Sequence, residues 1–405
     1  MTRLTRFAAC ATAAAACLLA ARTAGAQVMC DNTTTLPNPI ILTGSSAFEA
    51  TVKQFAVKLS AETTPTTIIY QVPGSCSGVA NFSAALTGTA HYYTVDTTVT
   101  PAAIVTNSCT FGTGQMADVA ISDVFYESCA NVPQPRPATL VDIPGPVQAM
   151  LFVVPKSNTT TQYISSSEAA DIYGCGASAN VAPFTQAGGI FCRDPNSGTQ
   201  ITVADNIGVP ASVMIAPICV PSTNGTAGVI SGVTTYATPG AAIGFIGADA
   251  YDPQRANLNS LAYQGFGQTA AYYSDSTPSA ADRRNVRDGH YLIWGYEHMI
   301  ATTDSTGVPT NPKAANFIGW INGTKTDSSF DYVQVEGSAG TIPVCAMKVK
   351  RSADGGLLDH YTPADSCSCA FEAAITKTTP AGCAACSASA PCTTAGLACH
   401  HGYCE

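Results

Sequence analysis

Residues 39–48 read Pro39-Ile40-Ile41-Leu42-Thr43-Gly44-Ser45-Ser46-Ala47-Phe48. The apolar run predicts a buried strand, and Gly44 followed by two serines predicts a tight turn. Phe48, Val52, Phe55 and Leu59 then recur at helical spacing, so the order is strand, turn, helix.

The same order repeats along the chain. A second β-rich run, Thr67 to Val72, leads into Pro73-Gly74-Ser75-Cys76-Ser77-Gly78, and Val79 to Leu86 carries a helical pattern. Residues 87–115 are Thr-rich and contain Cys109; they read as a loop or a hairpin insertion. Asp118-Val119-Ala120-Ile121 predicts a short buried strand ending at Ser122-Asp123. Val147 to Val154 is almost continuously apolar, as for a strand covered on both faces. Ser165-Ser166-Ser167-Glu168 is a capping box that opens a helix through Ile172 and Tyr173. Phe191 to Thr199 predicts a loop, followed by a helix from Gln200 to Ile207. Strands alternating with helices predict an α/β fold with open, largely parallel or mixed sheets.

Only 11% of the 405 residues are charged, against about 25% in an average soluble protein. A formal net charge of -9 and the lack of any Lys/Arg cluster exclude nucleic acid as a partner. Arg3 and Arg6, the apolar stretch from Phe7 to Ala21, and Ala24-Gly25-Ala26 predict a signal peptide over residues 1–26. Export to the periplasm, cell surface or extracellular space follows, with a mature chain from near Gln27. Removal of Cys10 and Cys17 leaves an odd number of the 17 cysteines. In an oxidising compartment most should pair, with one thiol left over, and spacing does not give the connectivity. After about Asp365 the chain is dense in cysteine (Cys367, Cys369, Cys383, Cys386, Cys392, Cys399, Cys404) and poor in large apolar residues. Residues 366–405 therefore form a small module that must be stapled.

Three segments share one physical design: Gly44-Ser45-Ser46, Gly74 to Gly78, and Ser197-Gly198-Thr199. Each places glycine and hydroxyl residues before a predicted helix, whose first turn leaves N–H groups unpaired and favours an anion. Ordinary N-capping is the plain alternative for each segment. Arg193, four residues before Ser197, can supply a bidentate cationic partner.

These segments, in this order, resemble the phosphate-binding proteins of bacterial ABC importers, of the type 2 periplasmic-binding class. The matching elements are Leu42 to Phe48; Tyr70-Gln71-Val72-Pro73-Gly74-Ser75-Cys76-Ser77-Gly78; Asp118 through Ser122-Asp123; Arg193 through Ser197-Gly198-Thr199; Ala242-Ile243-Gly244-Phe245; and Arg287-Asp288-Gly289-His290-Tyr291. They span residues from about 40 to about 300. The second loop and the R-x-x-x-S-G-T signature are the specific ones. The resemblance implies two α/β lobes joined by crossing strands, lobe 1 at about 40–145 and 250–365 and lobe 2 at about 146–249, with a ligand cleft between them. It places Ser45, Ser46 and Phe48 at a first anion loop, with Ser75 as a hydroxyl donor. Arg193 would be the charge partner, and Ser197, Gly198 and Thr199 a cradle at a helix N-terminus. Asp123 would be the discriminator: an ionised carboxylate only accepts hydrogen bonds, so it tolerates phosphate, which keeps a proton, and repels sulfate. The implied function is capture of phosphate or a similar protonated oxyanion, with an ABC transporter permease or a cell-surface component as partner. No cofactor, no metal and no catalysis are expected. The chain departs from the family at Pro195, where an acid is usual, and in a longer gap between Ser75 and Asp123, so arsenate or an organic phosphate also enters the ligand class.

Two other classes compete. Gly74 to Gly78 has the shape of a nucleophile elbow with Cys76 at its apex, but no His and Asp are placed to activate it. A secreted or cell-surface adhesion protein that reuses the fold is the other, favoured by the Thr-rich insertion and the cysteine-rich tail. That tail resembles EGF-like or related disulfide knots, and disulfides are preferred to zinc there.

Overall fold

β1 (Ile40–Gly44) is buried along its whole length, and α1 (Glu49–Ser60) turns Val52, Phe55, Ala56 and Leu59 onto it. The structure, a computed structural model, describes residues 28–325, 329–394 and 396–405, so the predicted signal peptide lies outside the described residues. Only glycine fits the turn after β1: Gly44 has φ +143°, and a Cβ there would stand 1.9 Å from the Ile121 carbonyl oxygen. β2 (Ile68–Gln71) pairs with β1 in parallel. α2 (Ser75–Asn81) starts inside the Gly74–Gly78 stretch, a turn earlier than its apolar pattern suggests. Gly78 allows this, because a Cβ on it would lie 2.2 Å from Gly44 Cα.

The Thr-rich insertion is a hairpin, β3 (Thr89–Asp96) and β4 (Ala103–Thr110), laid antiparallel on β2. β5 (Val119–Ser122) flanks β1 on its other side in parallel. β6 (Leu140–Pro155) is a 16-residue strand. α3 (Ser166–Cys175) begins with the predicted capping box, Ser165 to Glu168. α4 (Gly198–Ile207) and α5 (Gly225–Thr235) follow. β7 (Gly244–Gly247), α6 (Ala248–Tyr251) and β8 (Leu258–Ser260) come next, both strands antiparallel to β6. β9 (Trp294–Thr302) inserts antiparallel between β5 and β6. α7 (Pro312–Ile321), α8 (Tyr332–Ala339) and α9 (Ser368–Thr376) complete the helices used below.

The main sheet runs β7-β6-β9-β5-β1-β2-β3-β4, with β8 also on β6. It is mixed: β1, β2 and β5 are parallel neighbours, whereas β6, buried from Gly145 to Pro155, has antiparallel partners. Strands β6 and β9 pass from one hydrophobic core to another. Met299 and Ala301 share a core with Leu42, Phe48, Phe55 and Phe317. Val147 to Val154, Trp294 and Tyr296 share the other with residues of α3, α4 and α5. A register shift between Tyr296 and His298 marks the passage. Two α/β lobes are thus joined by crossing strands. Each fully buried Phe or Leu contributes about 1.5–3 kcal/mol to such a core.

Seven disulfides are present among the described residues, and Cys175 is the free, exposed thiol. Three lie wholly within the tail, and Cys345–Cys367 anchors the tail to the body. The Glu405 carboxylate accepts from the N–H groups of Ser368 at 3.0 Å and Cys369 at 2.7 Å, at the otherwise uncapped start of α9. No helix among the described residues is long and apolar enough to cross a membrane.

Candidate functional site

The end of β5 holds Asp123 between the lobes, only 2% exposed. Its carboxylate accepts from the Ser45 hydroxyl and, at 3.2 Å, from the Thr199 hydroxyl. Its N–H donates to Ser75 Oγ at 3.3 Å. The turn after β1, the start of α2 and the start of α4 therefore meet on Asp123, the first and last at its carboxylate and α2 at its N–H. Tyr70, fully buried on β2, donates its hydroxyl to the Ser45 carbonyl and fixes that turn. A backbone bond from Cys76 N–H to the Asn196 carbonyl, 3.2 Å, ties α2 to the loop before α4. Gly198 makes the approach: a Cβ on it would lie 2.5 Å from Ser75 Oγ and 2.7 Å from Asp123 Cβ.

Arg193 is 3% exposed. Its Nη1 donates to Thr226 Oγ1 at 2.9 Å and its Nη2 to Ser46 Oγ at 3.3 Å, while Nε has no partner among the described residues. Burial pulls its pKa down, opposed by Asp123, Asp194 and Asp249. The guanidinium thus bridges a residue before α1 and the first turn of α5 through neutral hydroxyls alone. Holding a buried cation without a close counter-charge costs several kcal/mol, so the arrangement favours an anion beside it.

Four helix N-termini gather here, and none carries a side-chain cap: α1 after Phe48, α2 after Gly74, α4 after Ser197 and α5 after Asn224. By contrast α3, α7 and α8 are capped by Ser165, Asn311 and Asp331. Ordinary capping therefore does not account for the three hydroxyl-rich segments. Beside Arg193 opens a cleft of about 650 Å³ whose walls include Ser46, Gly74, Ser222, Thr226 and Ala250.

Of the nine residues singled out from sequence, Ser45, Ser75, Asp123, Gly198 and Thr199 touch one another, and Ser46 and Arg193 touch at the cleft. Ser197 is buried as the residue preceding α4. The Phe48 side chain packs in the core, so its part in any site is limited to its backbone at the start of α1. Sequence reading missed Thr226, although Ser222-Thr223-Asn224-Gly225-Thr226 carries the same glycine and hydroxyl signature. Two buried acids went unnoticed as well. Asp249 is pushed up to about 7, chiefly by burial. Glu297 is raised well above the carboxylate range, by burial first and then by Asp123 and Asp249.

Cys76 is bonded to Cys129, which removes it as a nucleophile. A separate cavity of about 700 Å³ lies against the tail, with Phe125, Tyr296, Tyr332, Tyr361, Glu336 and His401 in its wall. Its wall includes none of the nine residues.

No family model and no curated protein matches this chain. Solved structures do. One is a substrate-binding protein from Clostridium perfringens attributed to a phosphate ABC transporter, with bound phosphate. The similarity covers 76% of this chain and 100% of that one, at 13% identity and a TM-score of 0.51. An ABC-type phosphate transport receptor from Vibrio cholerae is similar over 75% of this chain and 99% of its own, at 16% identity and a TM-score of 0.46. A phosphate-binding protein from Stenotrophomonas maltophilia is similar over 76% and 90%, at 14% identity and a TM-score of 0.44. At such identities the likeness concerns architecture, and on the first of these structures the chain has the bilobal α/β fold of type 2 periplasmic binding proteins, extended by a disulfide-rich tail.

Proposed function

We propose that this protein is an exported solute-binding protein that captures phosphate, or a similar oxyanion that keeps a proton, between its lobes, and hands it on without chemistry. The observation that carries the reading is Arg193: a guanidinium 3% exposed, held by two neutral hydroxyls, at the mouth of a cleft where uncapped helix N-termini converge. Charge, helix dipoles and backbone N–H groups all favour an anion there. Asp123 supplies the selection. Its carboxylate offers only acceptors, so an oxyanion with a proton to donate fits, and one without meets repulsion. The ligand-binding set is Ser45, Ser46, Phe48 through its backbone, Ser75, Asp123, Arg193, Ser197, Gly198 and Thr199, to which we add Thr226.

The two lobes are assigned to about 40–145 with 250–365 and to about 146–249, with the tail as a third unit. An ABC-type importer is the natural recipient for a protein of this fold and ligand. The seven disulfides fit an oxidising, exported location. Calorimetric titration with phosphate and sulfate tests the reading: phosphate binding that is lost in Arg193→Ala supports it, and binding of neither anion removes it.

A further inference from the structure

β9 is buried except at Thr302, yet it carries an acid at its centre, Glu297, 0% exposed. No donor among the described residues reaches either of its carboxyl oxygens. The strand pairing explains where the group sits. β9 runs antiparallel to β5 with His298 opposite Ser122, and Gly295 passes so close that a Cβ on it would lie 2.6 Å from the Asp123 carbonyl oxygen. Continued by one residue, that register sets Glu297 beside Asp123, whose like charge acts on the buried acid. Two ionised carboxylates repel at such range, whereas one shared proton turns the contact into a hydrogen bond.

The other ionisable groups around it agree. Asp249 on α6 adds a second like charge, and Tyr70 on β2 is a neutral phenol. The charge of Arg193 acts on Asp123 and Asp249 rather than on Glu297. Asp123 already accepts from the Ser45 and Thr199 hydroxyls, which favours it as the ionised member.

We propose that Glu297 is a positioning residue of the anion site: a neutral acid that donates its O–H to Asp123 and so keeps Asp123 an acceptor-only carboxylate toward the ligand. This rests on the reading of Asp123 given above. Glu297 then sets specificity without touching the ligand. Without that O–H, Asp123 loses one of the donors that hold it as an acceptor-only group, and its selection against a fully deprotonated oxyanion such as sulfate weakens.

Two variants of the full mature chain separate this from a merely structural role. Glu297→Gln keeps a donor at the same reach, and Glu297→Met keeps the volume without one. Infrared difference spectra of native against Glu297→Gln at neutral pH should show the carbonyl band of a carboxylic acid in the native protein alone. By calorimetry, Glu297→Gln should keep the phosphate-to-sulfate affinity ratio within about threefold of native, and Glu297→Met should lower it about tenfold or more. Absence of the band, or the same change of ratio in both variants, overturns the proposal. If the native protein binds neither anion, the anion reading fails, and the band alone still decides whether Glu297 holds the proton.

Discussion

Substituting Gly198 by alanine puts one methyl group into the contact that assembles the site. The new Cβ would stand 2.5 Å from Ser75 Oγ, 2.7 Å from Asp123 Cβ and 3.0 Å from Asp123 Cγ. The serine hydroxyl can rotate away. Asp123 cannot yield as easily, because β5 holds its backbone and Gly295 packs against its carbonyl. The first turn of α4 must therefore withdraw, which lengthens the 3.2 Å bond from Thr199 to Asp123 and opens the cradle. Overpacking by one methyl costs about 1–3 kcal/mol. If that cost falls on the closed, ligand-holding arrangement, phosphate affinity drops roughly 5- to 150-fold. Isothermal titration of Gly198→Ala against native protein measures this, with circular dichroism as the check that both are folded. A folded Gly198→Ala protein with phosphate affinity within twofold of native would refute the argument that α4 must touch Asp123 to bind.

Two further outcomes are expected. Asp249 is raised to about 7 by burial, so the folded state holds its proton over a range where the unfolded chain has released it. Its penalty is absent below about pH 4, grows as pH rises from there to about 7, and is constant above. Asp249→Asn should therefore gain stability relative to native across that window in urea melts, and a gap independent of pH would contradict the placement. Removing Cys76–Cys129, whose sequence separation is 53, with paired alanines should lower unfolding free energy by about 4 kcal/mol in denaturant titration. A loss under about 1 kcal/mol would mean that the bridge does not restrain the unfolded chain as assumed.

Much of this was legible in the sequence because short signals agreed with each other. Phe48, Val52, Phe55 and Leu59 gave the first helix, and Ser165 with Glu168 gave the cap of α3. Arg193 and Asp123 were visible as chemistry since each stands in a hydroxyl-rich or apolar setting that does not need a charge. What escaped depended on long-range geometry. The choice between loop and hairpin for residues 87–115 stayed open in the sequence, because the edge of β2 that receives the hairpin leaves no local pattern. The apolar run at Val147 gave no sign that its partners would be antiparallel, since burial on both faces reads alike in either case. The helix at Ser75 began early because Gly78 lets it lie on Gly44, a contact with no local pattern. Glu297 did leave a trace: it is the lone acid in a run that is otherwise apolar, glycine or aromatic apart from His298. Its meaning emerged only when the pairing of β9 with β5 brought it to Asp123.

The central claim is that Arg193 and Asp123 together make a site for an oxyanion that keeps a proton. Calorimetric titration of the mature protein with phosphate and then sulfate, after unfolding and refolding to strip carried-over ligand, tests it most directly. The account predicts micromolar or tighter phosphate binding, abolished by Arg193→Ala, with sulfate weaker by about a thousandfold or more. Equal affinity for the two anions would contradict the role given to Asp123, and binding of neither would contradict the site itself.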